Sequence, residues 1–119
     1  MASNSKSPAR VLLVSANREE INMASWPLGM ACTAAATRLA GHDVRTLDLM
    51  LFHDPHSALD RVIREFRPEI VGVSIRNIDD QCMRDKRWFL DDVKDLIAHC
   101  RARSNAPIVL GGAGYSIYP

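Results

Sequence analysis

Short apolar runs alternate with helical patterns along this chain. The runs lie at Arg10–Ser15, Val44–Asp48, Ile70–Ile75 and Pro107–Leu110. Arg10–Ser15 and Ile70–Ile75 are almost continuously apolar, which is typical of strands that are buried on both faces of a parallel sheet. The chain is therefore predicted to contain four strands, with a helical segment between each strand and the next.

Apolar residues at helical spacing lie in the three intervals between these strands. The first set shares one helical face and consists of Leu28, Ala31, Cys32, Ala35, Ala36 and Leu39. Pro27 near the first turn and Gly41 just past the last turn mark the two ends of this helix. The second set is Leu59, Val62, Ile63 and Phe66, and the third is Phe89, Val93, Leu96, Ile97 and Cys100. Strands joined by helical crossovers predict an α/β fold, a Rossmann-like or flavodoxin-like parallel sheet with helices on both faces.

The length of 119 residues allows one domain. Residues 1–9 are expected to be a flexible polar tail, and residues 10–119 the α/β domain. The sequence stops at Tyr115–Pro119, where the helix after the fourth strand should begin, so the domain is expected to be truncated after that strand. The apolar fourth strand would then be an edge, and we expect the fragment to self-associate.

The composition and charge of the chain argue against several classes of function. The net charge of +1 gives no reason to expect nucleic acid as a partner, and no apolar run approaches the roughly 20 residues of a membrane helix. Three widely spaced cysteines fit a cytoplasmic protein without a disulfide framework. No Cys/His cluster has metal-ligand spacing, although His53 and His56 lie near the expected ligand edge. No metal site and no catalytic residue are therefore predicted within this chain.

The candidate binding residues follow the third and fourth strands. Ligands of such sheets bind at the carboxyl ends of the strands, near the topological switch point. Gly111, Gly112 and Gly114 follow the fourth strand, where three glycines let the backbone turn tightly and approach a ligand closely. Ser74 ends the third strand, and Arg76 and Asn77 follow it. Because these two strands should be neighbours, the two groups are expected to lie close together.

Three interpretations of this edge stay open at this point. The glycine loop Gly111–Gly114 could cradle a phosphate, as in a non-catalytic nucleotide-binding module. It could instead accept a flat aromatic group, or it could be a structural turn in a scaffold without ligand affinity. A dinucleotide fingerprint is excluded, because the segment after the first strand begins Ser-Ala-Asn-Arg-Glu-Glu and lacks glycine.

Four segments occur in an order that resembles a known family. They are Trp26–Ala31, Ala40–Val44, Pro68–Asp79 and Pro107–Ser116. Together they are similar to the amino-terminal cobalamin-binding domain of cobalamin-dependent radical-SAM proteins. The resemblance implies a cobalamin cofactor for this domain, and it runs from Arg10 to the end of the chain.

The resemblance also implies roles for individual residues. Ser74 matches a serine near the nucleotide tail of the cofactor, and Gly111 and Gly112 match a glycine pair that lets the dimethylbenzimidazole approach the backbone. Arg76 and Asn77 match loop positions near the corrin. Leu28 and Gly29, together with Pro27, match the start of the first helix beside the tail pocket.

One feature departs from the wider cobalamin-binding superfamily. Methionine synthase and mutase types carry a cobalt-ligating histidine in DxHxxG, whereas Ser15–Gly29 contains no histidine. Base-off cobalamin without a histidine from this segment is therefore implied, with Arg76 facing the cobalt. The family's SAM and iron–sulfur chemistry belongs to a downstream barrel domain, which this chain lacks. That domain would be the partner in a parent enzyme, to which cobalamin presents a methyl group.

Overall fold

A computed structural model describes residues 7–18, 27–76, 90–113 and 115 of the chain. Strands and helices alternate, as the sequence predicts. In order they are β1 (Arg10–Ser15), α1 (Leu28–Leu39), β2 (Asp43–Asp48), α2 (Pro55–Phe66), β3 (Ile70–Ser74), α3 (Leu90–Arg103) and β4 (Ile108–Gly111). A single 3₁₀ turn, Leu49–Leu51, follows β2.

The four strands form one parallel sheet with the order β2-β1-β3-β4. The chain passes from β1 to β2 on one side and then crosses back over β1 to β3 on the other. The predicted flavodoxin-like layout is confirmed, and β3 and β4 are neighbours as expected. The topological switch point lies between β1 and β3, so a ligand is expected at the carboxyl ends of these two strands.

The helices cover both faces of the sheet, and each face has its own apolar core. The core beneath α2 and α3 is the larger one, and it includes Leu12, Leu59, Val71 and Leu96. The smaller core lies beneath α1 and consists of Val11, Leu13, Met30, Ala34 and Val44. α1 therefore covers β1 and β2 on its face of the sheet, while β3 and β4 are less covered there.

Helix α1 has the predicted ends, but its inward face differs from the apolar stripe seen in the sequence. Met30 and Ala34 are buried against the sheet. Leu28 and Leu39, at the two ends of the stripe, are 70% and 90% exposed, and Cys32 between them is exposed. Apolar spacing alone did not identify the contact face of this alanine-rich helix, because most of its residues are apolar.

Helix α2 begins and ends at residues suited to those positions. The Asp54 carboxylate accepts hydrogen bonds from the backbone N–H groups of His56 and Ser57, which caps the first turn above Pro55. Arg67 ends the helix in the left-handed conformation, with φ of 52°. Its carbonyl oxygen accepts a 2.8 Å hydrogen bond from Nε of Arg10, which ties the end of α2 to β1. Within the part of the chain that the structure describes, no helix is long and apolar enough to cross a membrane.

Candidate functional site

The strands end in a row of small and polar residues at the switch point. The register aligns Asp48, Ser15, Ser74 and Gly111 across the four strands. Side chains alternate between the faces of a strand, and Leu13 belongs to the core beneath α1, so this row faces the α1 side as well. Sequence reasoning missed Ser15, which is buried and occupies on β1 the place that Ser74 occupies on β3.

Backbone hydrogen bonds continue the sheet just beyond this row. The amide of Ala16 donates to the carbonyl oxygen of Ser74 at 3.1 Å, and the amide of Ile75 donates to that of Gly111 at 2.8 Å. The three strand ends are thus fixed relative to one another. Ser74 and Gly111, two residues predicted to share a site, are brought together as a register pair.

The two adjacent glycines after β4 stand in different surroundings. Within the described part of the chain, a Cβ atom added to Gly111 would meet no atom within 4 Å, so this position borders open space. A Cβ atom on Gly112 would lie 2.5 Å from the carbonyl oxygen of Ile75, and Gly112 has φ of 97°. Packing of the chain against itself and a left-handed backbone therefore explain the glycine at 112. No described residue fills the space beside Gly111, so a bound group could occupy it.

A second row, one step below the first on the same face, is apolar. It aligns Leu13, Gly72 and Val109. The Leu13 side chain lies over Gly72, since a Cβ atom there would be 2.7 Å from Cδ2 of Leu13. Val109 is 57% exposed. Leu13 and Val109 thus form an apolar floor on β1, β3 and β4 beside α1, a surface that we call the α1-side groove.

The remaining predicted residues surround this region or lie outside the described residues. Leu28 and Gly29 are exposed in the first turn of α1, on the same side of the sheet as the groove. Arg76 is exposed just beyond the carboxyl end of β3. Asn77 and Gly114 lie outside the described residues.

A cavity of about 450 Å³ lies on the opposite side of the sheet, between α2, α3 and the segment after β1. Its apolar lining includes Leu49, Val93 and Leu96, and its polar lining is Asn17, Arg18, His56, Asp92 and Asp95. The Arg18 guanidinium donates to the carbonyl oxygens of Phe52 and His53, so it joins the segments that follow β1 and β2. The predicted cofactor-binding residues that the structure describes do not line this cavity.

The titratable groups between α2 and α3 form a structural cluster. Asp60 accepts hydrogen bonds from His99 at 2.6 Å and from Arg103 at 3.1 Å, and the rings of His56 and His99 stack at 4.4 Å. Burial raises the pKa of Asp60, but the hydrogen bonds and charges of His99 and Arg103 outweigh it and hold this pKa below its ordinary value. Among the described residues, no group of three or more acidic, histidine or cysteine residues could hold a metal ion.

Known proteins match this chain over most of its length. The family described as B12 binding domain matches residues 14–119. Tryptophan 2-C-methyltransferase of Streptomyces laurentii is 34% identical over 105 residues, which cover 87% of this chain and 17% of that protein.

Two solved structures share both fold and sequence with the chain. One is the radical S-adenosylmethionine methyltransferase TsrM from Kitasatospora setae with cobalamin and a [4Fe-4S] cluster bound. It matches with a TM-score of 0.83 and 31% identity over 92% of this chain and 19% of that chain. The other is TsrM with tryptophan substrate and the SAM analogue aza-SAM, with a TM-score of 0.82 and 31% identity over 91% of this chain. The chain thus spans about a fifth of the length of these relatives.

Proposed function

Because this chain belongs to the B12-binding domain family, we propose that it holds cobalamin at the carboxyl edge of its sheet, with the nucleotide tail in the α1-side groove. The observation that carries this placement is the open space at Gly111. That glycine lies beside Ser74 at the switch point, where ligands of parallel α/β sheets bind. The nucleotide-module alternative is not favoured by the family match.

The groove fits a flat and largely apolar group. Gly111 leaves its upper end bare, and Leu13 and Val109 give it an apolar floor. A planar ring would remove the exposed part of Val109 from water, at about 25 cal/mol for each Å² of apolar surface buried. Ser74, which is half-buried at the upper end, offers a hydroxyl for a polar part of the tail.

The corrin belongs above the strand ends in this proposal. Arg76 lies just beyond β3 and is exposed there, so its guanidinium is placed to face the corrin or the cobalt. The segment Ser15–Gly29 contains no histidine, so we propose base-off cobalamin without a histidine ligand from this segment. Cobalamin supplies a cobalt centre that can carry a methyl group, and this chain's residues bind and orient the cofactor.

The wider role of the domain follows from its relatives. Tryptophan 2-C-methyltransferase and TsrM are named as methyltransferases, and the chain corresponds to about a fifth of each. We propose that the domain serves a radical-SAM methyltransferase by presenting cobalamin to a separate downstream domain that holds SAM and an iron–sulfur cluster.

Strand β4 pairs only with β3 among the described strands, and Val109 is exposed on it, so we also propose that the chain by itself self-associates.

Spectroscopic titration of the purified chain with hydroxocobalamin tests the binding proposal. We expect saturable binding at a 1:1 ratio, with a Kd of about 1 μM or tighter. The visible spectrum of the bound cofactor should be of the base-off type, and it should be unchanged in His53→Ala and His56→Ala variants. ATP and NAD serve as competitors: saturable binding of either, with no response to cobalamin, would support the nucleotide-module alternative and contradict the proposal.

A further inference from the structure

We infer that this domain discriminates among cobamides by their lower base, preferring a benzimidazole to a purine, and that Val109 is the residue that sets this preference. The inference rests on the proposed function, since it takes the nucleotide tail to lie in the α1-side groove. It adds a specificity that follows from which side chains line that groove.

The floor of the groove offers no hydrogen bond to a base. Leu13 covers Gly72, and Val109 follows on β4, so the surface below a bound ring consists of aliphatic carbon. The exposed half of Val109 is the largest part of this floor that a ligand could still cover, because Leu13 is itself only 9% exposed. Backbone N–H and C=O groups of β4 lie in the plane of the sheet and do not point at a ring resting on its face.

Among the described residues, the hydroxyl groups of α1 already donate to helix carbonyl oxygens. On α1, the hydroxyl of Thr33 donates to the carbonyl oxygen of Gly29 at 3.0 Å, and that of Thr37 donates to the carbonyl oxygen of Thr33 at 2.7 Å. Ser15 belongs to the upper row, but it is buried. Among the described residues of the two rows on β1, β3 and β4, Ser74 is therefore the side chain that could bond to a base.

This lining distinguishes the two kinds of base. Adenine carries an amino group and additional ring nitrogens, and each loses its bonds to water when it is buried without a partner. One serine hydroxyl cannot satisfy all of them. Dimethylbenzimidazole carries two methyl groups at the corresponding edge, and these gain from contact with Leu13 and Val109. We therefore expect the benzimidazole cofactor to bind at least about 10-fold more tightly than its adenine counterpart, a ratio that one unpaired buried polar group can produce.

Titrations of the full chain with three corrinoids test the inference. They are cobalamin, the cobamide with adenine as lower base, and cobinamide, which lacks the nucleotide. Cobalamin should bind most tightly, by about 10-fold or more over each of the others. Val109→Thr keeps the shape of the side chain and adds a hydroxyl. It should therefore reduce the preference for cobalamin over the adenine cobamide to about 3-fold or less. The affinity for cobinamide should be unchanged. Val109→Ile keeps the floor apolar and should retain the preference.

Val62→Thr makes the same chemical change on α2, which covers the opposite face, and it should leave all three affinities in their original order. Circular dichroism verifies that each variant is folded. Equal affinity for cobalamin and the adenine cobamide would overturn the inference while leaving cobalamin binding intact, and so would an unchanged preference in folded Val109→Thr. Cobinamide binding as tightly as cobalamin would show that the tail does not use the groove. Failure of all three corrinoids to bind would overturn the proposed function and the inference together.

Discussion

Gly112 stands against the backbone of Ile75 so closely that a Cβ atom added to it would lie 2.5 Å from the carbonyl oxygen and 2.8 Å from the nitrogen of that residue. Its neighbour Gly111 borders open space. The two glycines therefore have different roles. One allows the chain to leave β4 beside the end of β3, and the other leaves a gap that a ligand can occupy.

Substitution at the two positions should separate binding from stability. Gly111→Val should weaken cobalamin binding by about 10-fold or more, because its side chain fills the space proposed for the ligand. It should leave the free energy of unfolding almost unchanged. Gly112→Val should lower the free energy of unfolding by at least about 1–2 kcal/mol, because a side chain there meets backbone and the φ is positive. Chemical denaturation and hydroxocobalamin titration of both variants provide the measurements.

Ala102→Val is the control, since it adds bulk at an exposed residue of α3, which covers the opposite face of the sheet. It should change neither stability nor affinity by much. If folded Gly111→Val binds cobalamin like the unsubstituted protein, the open space beside Ser74 is not part of the site.

The orientation of α1 predicts a second contrast. Met30→Ala should destabilise the domain by about 2–5 kcal/mol, because it removes a side chain that is buried against the sheet. Leu39→Ala should change the free energy of unfolding by less than about 0.5 kcal/mol, because Leu39 is exposed to water. Urea denaturation of both variants measures the difference. If Leu39→Ala lowered the free energy of unfolding as much as Met30→Ala, the apolar stripe, and not the Met30–Ala34 face, would be the one that packs against the sheet.

The strands were predictable because a parallel sheet buries both faces of its inner strands. Val11–Val14 and Val71–Val73 contain little besides aliphatic residues and glycine, and a loop or an exposed helix would not tolerate such runs. The contact face of α1 was not predictable in the same way. Alanine counts as apolar in a pattern but buries little surface, so a helix rich in alanine does not specify which side packs.

The site was predictable in part. Ser74 and Gly111 could be expected together, because each follows an apolar run and the runs belong to neighbouring strands. The apolar floor of the groove could not be found from the sequence, since it depends on the register that aligns Leu13, Gly72 and Val109. Ser15 could have been found by the signal that revealed Ser74, a serine at the carboxyl end of an apolar strand. The different roles of Gly111 and Gly112 could not be predicted from the sequence, because they depend on how closely each glycine approaches the end of β3.

The contact between α2 and α3 predicts a pH dependence. The pKa of Asp60 is held below its ordinary value of 3.8, so the stabilisation from its ionised form is present above that value and is lost as the pH falls through the lower, folded pKa. Asp60→Asn should therefore lower the free energy of unfolding by about 1 kcal/mol near neutral pH, as expected for a partly exposed, hydrogen-bonded pair. Denaturation at a series of pH values should show this difference shrinking below the ordinary pKa.

Asp95→Asn replaces an exposed carboxylate on α3 and provides the comparison, since it should change the free energy of unfolding by less than about 0.5 kcal/mol at neutral pH. A difference between Asp60→Asn and the unsubstituted protein that persists undiminished in acid would indicate packing, and not the ionised carboxylate, as the source of the effect.

Two cysteines should differ widely in reactivity. Burial, with a smaller contribution from the Asp60 charge, raises the pKa of the Cys100 thiol to about 11, and that side chain is 1% exposed. Cys32 is exposed on α1. In a Cys82→Ser background, iodoacetamide should alkylate Cys32 in the folded protein and reach Cys100 only after unfolding, because the thiolate is the reactive form. Peptide mass spectrometry assigns the modified residue, and rapid alkylation of Cys100 in the native protein would contradict its burial.

The row formed by Ser15, Ser74 and Gly111 joins segments from the beginning, the middle and the end of the described chain. A cofactor resting on it would act as a clamp that adds its own contacts to the backbone hydrogen bonds between these strand ends. At a free concentration about 100 times its Kd, a ligand that binds only the folded state adds about 2.7 kcal/mol to stability. Strand β4, at the edge of the described sheet, has the most to gain from such a clamp. Its amide protons should exchange with deuterated water most readily in the cofactor-free protein, and their exchange should slow the most when the cofactor binds. The supply of cofactor would then govern how long this part of the chain resists proteolysis.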